Sequence, residues 1–332
     1  MKTQESRVNT VYSLTAVLAA GLLAVTTAVG PATAGSWTPK GRRWQLTPSQ
    51  LAARQAHCAE QHEAADDYWL ALANANMLPD DDERSEARME AGEEYWEALA
   101  EARERYEARM ELSEALDEYR YYPEIDPENF LSPGEIAANP NPYWPLVPGT
   151  TYTYEGDTED GTEVIVVEVT DETREILGVE CVVVRDRVYL DGELVEDTRD
   201  WYTQDTDSNV WYFGENSLEY EDGEVVGLEG SWEAGQDSAL PGILMEAAPA
   251  VGDIYRQEFF LGDAEDAAEV LALSESVTVP YGSFDNCLQT GEFTPVEPDA
   301  YEHKFYAPGI GLVLEVDPES GERVELVSIT TP

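Results

Sequence analysis

The hydrophobic period of this chain changes at Thr150, and that switch limits the fold more than any other feature. Before it, apolar residues recur every three or four positions, as on one side of a helix. After it they alternate, as on one side of a strand. Helical sequence followed by strand sequence, with no further mixing, predicts an α+β protein whose helices are segregated at the N-terminal end.

Thr47-Pro48-Ser49-Gln50 reads as a helix start: Thr47 can cap, Pro48 suits the first helical position and Gln50 can complete a capping box. The helix is expected to run to about Met77, with Leu51, Cys58, Ala65, Trp69 and Leu72 along one side. Leu78-Pro79-Asp80 breaks it, and Asp81 or Asp82 can cap a second helix reaching about Tyr119. There Met89, Trp96, Leu99, Tyr106 and Met110 recur at helical spacing. So short a break predicts an antiparallel helical hairpin. Prolines from Pro123 to Pro148 then predict an extended strap, pinned by Tyr143 and Trp144 to the strand-rich half of the chain.

Beyond Thr150, strands are expected at 151–155, 163–169, 179–189, 194–202, 210–213, 217–220, 225–232, 254–260, 269–279, 287–293, 302–307, 311–316 and 323–329. Asp191-Gly192 and Asp222-Gly223 are strong hairpin turns, because both central positions want positive φ. Hairpins without intervening helices give a meander, and about a dozen antiparallel strands can curl into a curved sheet or barrel. The organisation is therefore a signal peptide over 1–34, a helical hairpin region over 35–120, a strap over 121–149 and an antiparallel β domain over 150–332.

The signal peptide rests on Lys2 and Arg7, a short apolar run over 14–25 and the small-x-small site Ala32-Thr33-Ala34. It predicts a secreted or periplasmic protein with no membrane insertion after cleavage. Asp and Glu number 69 against 19 Lys and Arg, a formal charge of -50. Such a chain repels nucleic acid and anionic surfaces, and dense carboxylates suit salty water, where their repulsion is screened. Of the three cysteines, Cys58, Cys181 and Cys287, the last two lie in strand-like segments and either pair or remain buried thiols.

Two stretches carry a family resemblance. Val279-Pro280-Tyr281-Gly282-Ser283-Phe284-Asp285-Asn286-Cys287 and His303-Lys304-Phe305-Tyr306-Ala307-Pro308-Gly309-Ile310-Gly311-Leu312-Val313 resemble the end of TapB-like secreted bacterial domains. Asn141-Pro142-Tyr143-Trp144-Pro145-Leu146-Val147-Pro148-Gly149-Thr150-Thr151-Tyr152 resembles the opening motif of a related group of exported bacterial proteins. The resemblance spans roughly residues 120–332. It implies an envelope or secreted domain of curved antiparallel sheet, and no catalytic residues.

Candidate chemistry is sparse. Asp205-x-Asp207-x-Asn209 has the oxygen spacing that opens many calcium loops, although Val210 and Asn216 stand where an EF-hand needs Gly and Glu. Cys58, His62 and Asp66 share one helical face, and His303 sits on a strand beside Lys304; a structural role is the simpler reading of each. Among the aromatics between 200 and 260, Trp201, Trp211, Trp232 and Tyr255 are candidates to line a ligand cavity in a curved sheet. The expected function is a salt-adapted, non-catalytic binding or envelope-associated protein, its partner a small apolar ligand or an envelope component. The rivals are a calcium-binding protein and a hydrolase using paired carboxylates.

Overall fold

The computed structural model describes residues 46–158 and 160–332. The export segment and its cleavage site lie outside the described residues. Helix α1 spans Pro48–Ala75 and opens with the expected capping box of Thr47 and Gln50. Helix α2 spans Asp81–Ala115. Its cap is Asp80, one residue earlier than expected, whose Oδ1 accepts from the N–H groups of Asp82 at 2.9 Å and Glu83 at 3.1 Å.

The two helices lie antiparallel, and small residues line their buried seam. Ala53, Ala64 and Ala75 are buried on α1, and Ala91, Ala102 and Ser113 on α2. Each set recurs every eleven residues, three turns of helix, so the small residues stay in line along nearly straight helices. Small side chains let the backbones approach closely, and the stacked pairs Tyr68–Tyr95 and His57–Tyr106 flank the seam. Of the residues at helical spacing, Leu51, Cys58, Trp69, Met89 and Trp96 are exposed, while Ala65, Leu72, Leu99, Tyr106 and Met110 are half-buried. Trp69 and Trp96 are 66% and 70% exposed, each tilted against its neighbouring tyrosine.

The strap is more structured than expected. A single turn of 3-10 helix covers Pro127–Asn129, and a short helix α3 covers Pro133–Ala138. In both, a proline occupies the first helical position, where its missing N–H costs nothing.

The β domain is one antiparallel sheet of sixteen strands. These are β1 Thr151–Thr158, β2 Gly161–Ile176, β3 Val179–Leu190, β4 Glu193–Gln204, β5 Val210–Asn216, β6 Glu219–Glu221, β7 Glu224–Gly227, β8 Trp232–Glu233, β9 Leu240–Met245, β10 Ile254–Arg256, β11 Glu258–Phe259, β12 Ala267–Val279, β13 Gly282–Phe293, β14 Tyr301–Ala307, β15 Gly311–Val316 and β16 Arg323–Thr330. The main order is β10-β12-β13-β14-β15-β16-β1-β2-β3-β4-β5-β9-β11. Asp191 and Gly192 have φ of 50° and 88°, and Asp222 and Gly223 of 53° and 79°, the mirror-image turn that matches strand twist. Leu177-Gly178 makes the same turn between β2 and β3.

The sheet curves strongly without closing its hydrogen-bond ladder. Its two edge strands, β10 and β11, are consecutive in the chain and joined through Gln257. At this seam, a Cβ on Gly242 of β9 would lie 2.3 Å from the Gln257 backbone, so glycine is what lets the margins approach. Cys181 and Cys287 are both buried and unpaired thiols, which decides between the two states that the sequence allowed.

The hairpin docks on the sheet through buried charge. Arg109 Nε donates to Glu265 Oε1 at 2.8 Å, and Nη1 to Glu60 Oε1 at 2.8 Å. Arg256 forks onto both Glu118 oxygens and lies over the rings of Tyr121 and Phe259. Tyr121 donates its hydroxyl to the Pro241 carbonyl at 2.8 Å.

Candidate functional site

The concave side of the sheet holds a small, partly open cavity of about 40 Å³. Its roof is the strap segment Trp144-Pro145-Leu146, and its rim includes Ile310, Gly311 and Leu312. Tyr152 and Tyr154 of β1, Val167 and Val169 of β2, Val184 and Asp186 of β3, and Asp200 and Tyr202 of β4 form the walls. Alternation along each strand accounts for this: one residue in two points inward, and the ladder sets the inward residues side by side.

Two rungs matter most. Tyr152, Val167, Asp186 and Thr198 are opposite one another across β1 to β4, and Val169, Val184 and Asp200 form the adjacent rung. Asp186 and Asp200 are therefore diagonal neighbours on one face, about 7–8 Å apart at the backbone. Both are buried, at 3% and 2% exposure. Asp200 Oδ1 accepts the Tyr212 hydroxyl at 2.8 Å, and burial pushes its carboxyl up to about 7. Tyr212 stacks on Tyr202 and meets Trp232 edge-on.

Asn141 fixes the roof. Fully buried, it donates its backbone N–H to Gln204 Oε1 at 2.8 Å and its side-chain amide to the carbonyls of Ser208 at 2.9 Å and Glu246 at 3.2 Å. Its Oδ1 accepts from Tyr143 and Trp144, turning the chain so that the Trp144 indole meets Tyr202 and Tyr306.

Tyr306 leads from the roof to a second buried cluster. It donates its hydroxyl to Glu292 Oε1 at 2.7 Å, and Lys304 Nζ lies 3.3, 3.4 and 3.6 Å from Glu292, Glu315 and Glu302. Burial alone would lower the Lys304 ammonium, but the three carboxylates outweigh it and raise it. Burial lifts Glu315 to about 7 and Glu163 to about 7. One ammonium does not balance so many acids, so part of this interior holds its protons at neutral pH.

The residues singled out from sequence fall elsewhere. Asp205 organises the turn between β4 and β5. Its Oδ1 accepts from the N–H groups of Asp207 and Asn209, and its Oδ2 from Asn209 Nδ2 and Trp211 Nε1. Four donors occupy the lone pairs a calcium ion would need, and Asn209 Oδ1 accepts from the Ala247 N–H. Among the described residues, no group of three or more His, Cys, Asp or Glu side chains is arranged to hold a metal.

Trp201, Trp211, Trp232 and Tyr255 are not among the residues that line this cavity. Trp201 lies under Arg174, Trp211 packs on Phe130 beneath the strap, Trp232 backs Tyr212, and Tyr255 is buried. Alternation sends Trp201 and Trp211 to the opposite face from Tyr202 and Tyr212, so the tyrosines hold the inward positions. His303 meets Tyr301 edge-on, and burial lowers its pKa. Cys58 is exposed on α1 beside His62 and Asp66; in the same helix His57 is the engaged imidazole, its Nδ1 2.8 Å from the Ala102 carbonyl oxygen. Sequence reading passed over Asp186 and Asp200 because nothing separates them from the many other acids; only strand register places them together.

No family model matches the chain, and no curated protein does. Among solved structures, the chain is similar to one described as a putative lipoprotein from Parabacteroides distasonis ATCC 8503. The identity is 14%, the TM-score 0.27, and the match covers 57% of this chain and 98% of the other.

Proposed function

We propose that this is an exported, non-catalytic binding protein that holds a small, largely apolar ligand in the cavity beneath Trp144. The observation that carries the reading is the cavity itself: walls of valine, leucine and tyrosine, with a few polar groups, under a roof fixed by the fully satisfied Asn141. Lys2, Arg7 and Ala32-Thr33-Ala34 support export. The TapB-like resemblance belongs to the same reading, and the stretches that carry it, 141–152 and 303–313, contribute the roof and part of the rim.

A carboxylate-dependent hydrolase is the second reading, favoured over calcium binding by Asp186 and Asp200 sharing one concavity. It ranks lower because the wall around the two acids is mainly apolar and offers few partners for a polar substrate.

The test uses N-phenyl-1-naphthylamine, a neutral apolar dye that brightens in apolar surroundings, with the mature protein. Saturable brightening that Val184→Trp abolishes, with the fold intact by circular dichroism, supports the reading. Brightening that survives the filled cavity, or none at all, overturns it.

A further inference from the structure

The helical hairpin carries a duplicated motif. Ala64-Ala65-Asp66-Asp67-Tyr68-Trp69 of α1 and Ala91-Gly92-Glu93-Glu94-Tyr95-Trp96 of α2 each place two acids before a Tyr-Trp pair, and both run on as x-Ala-Leu-Ala-x-Ala. The buried seam keeps the same register: Ala64 and Ala75 on one helix correspond to Ala91 and Ala102 on the other. Antiparallel helices matched in this way are related by a two-fold axis across the hairpin, which puts both copies of the motif on one face. The ring contacts agree. Trp69, Tyr68, Tyr95 and Trp96 follow one another across the seam with centroids 5.5, 5.0 and 5.5 Å apart. The tyrosines are half-buried, and both tryptophans keep most of their surface in solvent. Trp96 precedes Arg109, which anchors the hairpin to the sheet, by about 20 Å of helix.

Packing within the chain does not account for an indole left exposed in both copies. Aromatic rings rimmed by charged groups are the composition of an interaction surface. The charge selects the partner. Asp66, Asp67, Glu93 and Glu94 are all exposed, and the ion pairs within the helices use other acids, Asp81, Glu101 and Glu107. A second copy of this face, or any anionic surface, meets like charge across the contact. An apolar partner would strip water from four carboxylates and return no hydrogen bond. A basic chain suits both parts of the surface: its guanidinium or ammonium groups pair with the acids and lie over the indole faces. We propose that this face of the hairpin docks a basic polypeptide segment, with Arg or Lys side chains over Trp69 and Trp96 and against the acid pairs that precede them. The surface is separate from the cavity beneath Trp144, and its failure would leave that reading standing.

The probe is a fluorescein-labelled hexa-arginine peptide, titrated with the mature protein at fixed ionic strength and read by fluorescence anisotropy. Trp69→Gln and Trp96→Gln, which change no charge, are each expected to weaken binding about two- to fivefold, the range of an exposed cation–π contact, and the double variant about tenfold. Glu93→Gln with Glu94→Gln should weaken it as well. Glu172→Gln with Glu175→Gln, an equal loss of charge on exposed positions of the β domain, should leave it unchanged. Hexa-citrulline, the neutral counterpart of the peptide, should not bind. Equal losses in the two acid variants, or binding that survives removal of both indoles, would mean diffuse attraction to an acidic protein and overturn the proposal. Cellohexaose competing for the indoles, or a dimer in sedimentation that the double tryptophan variant dissolves, would also overturn it, making a sugar chain or a second copy the occupant. Should a variant not fold, hydroxyl-radical footprinting of the unmodified protein decides: hexa-arginine is expected to protect Trp69 and Trp96, and indoles that stay reactive overturn the proposal.

Discussion

The backbone N–H of Gly309 donates to the carbonyl of Pro142 at 2.7 Å, tying the strap to the turn between β14 and β15. Two residues on, a Cβ at Gly311 would lie 3.2 Å from Pro145 Cδ, and Gly311 has a φ of 102°. Sequence segments far apart in the chain thus build one cavity mouth through two glycines. Gly311→Ala is expected to cost about 1–3 kcal/mol of stability, the usual penalty for forcing a side chain into such a backbone conformation. Urea unfolding of the variant measures this; an unchanged midpoint would mean the roof tolerates movement.

Asn141 is the other support of the roof. Asn141→Ala leaves the carbonyls of Ser208 and Glu246 and the backbone N–H groups of Tyr143 and Trp144 to find new partners, while the backbone bond to Gln204 Oε1 is kept. A loss of about 3 kcal/mol is expected, from the desolvation cost of buried groups left unpaired. The dye should also bind more weakly to the folded variant. Full stability together with full dye binding would contradict the role given to Asn141.

Stability should rise as pH falls from 8 to 5. Burial raises Glu163, Glu246, Asp266 and Glu315 to about 7 and Glu196 to about 8. An acid with a raised pKa binds its proton more tightly folded than unfolded. Its contribution is fully present below the ordinary carboxylate range and is lost as pH climbs through 7 to 8. Reduced self-repulsion of the acidic surface at lower pH acts in the same direction. A Tm that is flat or falls between pH 8 and 5 would contradict this. NaCl should raise Tm at pH 8, whereas calcium at fixed ionic strength should add nothing, given the four donors on Asp205.

Trp69 and Trp96 test the helical seam. Trp69→Gln and Trp96→Gln should each change stability by no more than about 0.5 kcal/mol, as exposed substitutions do. Ala64→Leu, in the buried line of small residues, should cost about 1–3 kcal/mol by forcing the helices apart. The reverse ranking would put the aromatics back in the core.

The hairpin turns and most strands were legible in the sequence, because Asp-Gly pairs demand positive φ and alternation marks a half-buried strand. Strand β9 was not: Leu240-Pro241-Gly242 looks like a loop, yet Gly242 is what the seam between the sheet margins requires. The helices were legible from their caps and spacing, but the alanine line that forms their seam was not, since alanine is too common in helices to mark a contact. The cavity was anticipated only as an aromatic-lined interior. Its acids lay hidden among many acids, and the aromatics that line it, Tyr152, Tyr154 and Tyr202, are set by register across β1 to β4, which no local pattern fixes.

The central claim is the place of binding, and hydrogen exchange read by mass spectrometry tests it most directly. With saturating N-phenyl-1-naphthylamine, added protection is expected in peptides covering 143–146, 184–186, 200–202 and 310–312. Protection confined to the helical hairpin, or absent from these four segments, would contradict the account.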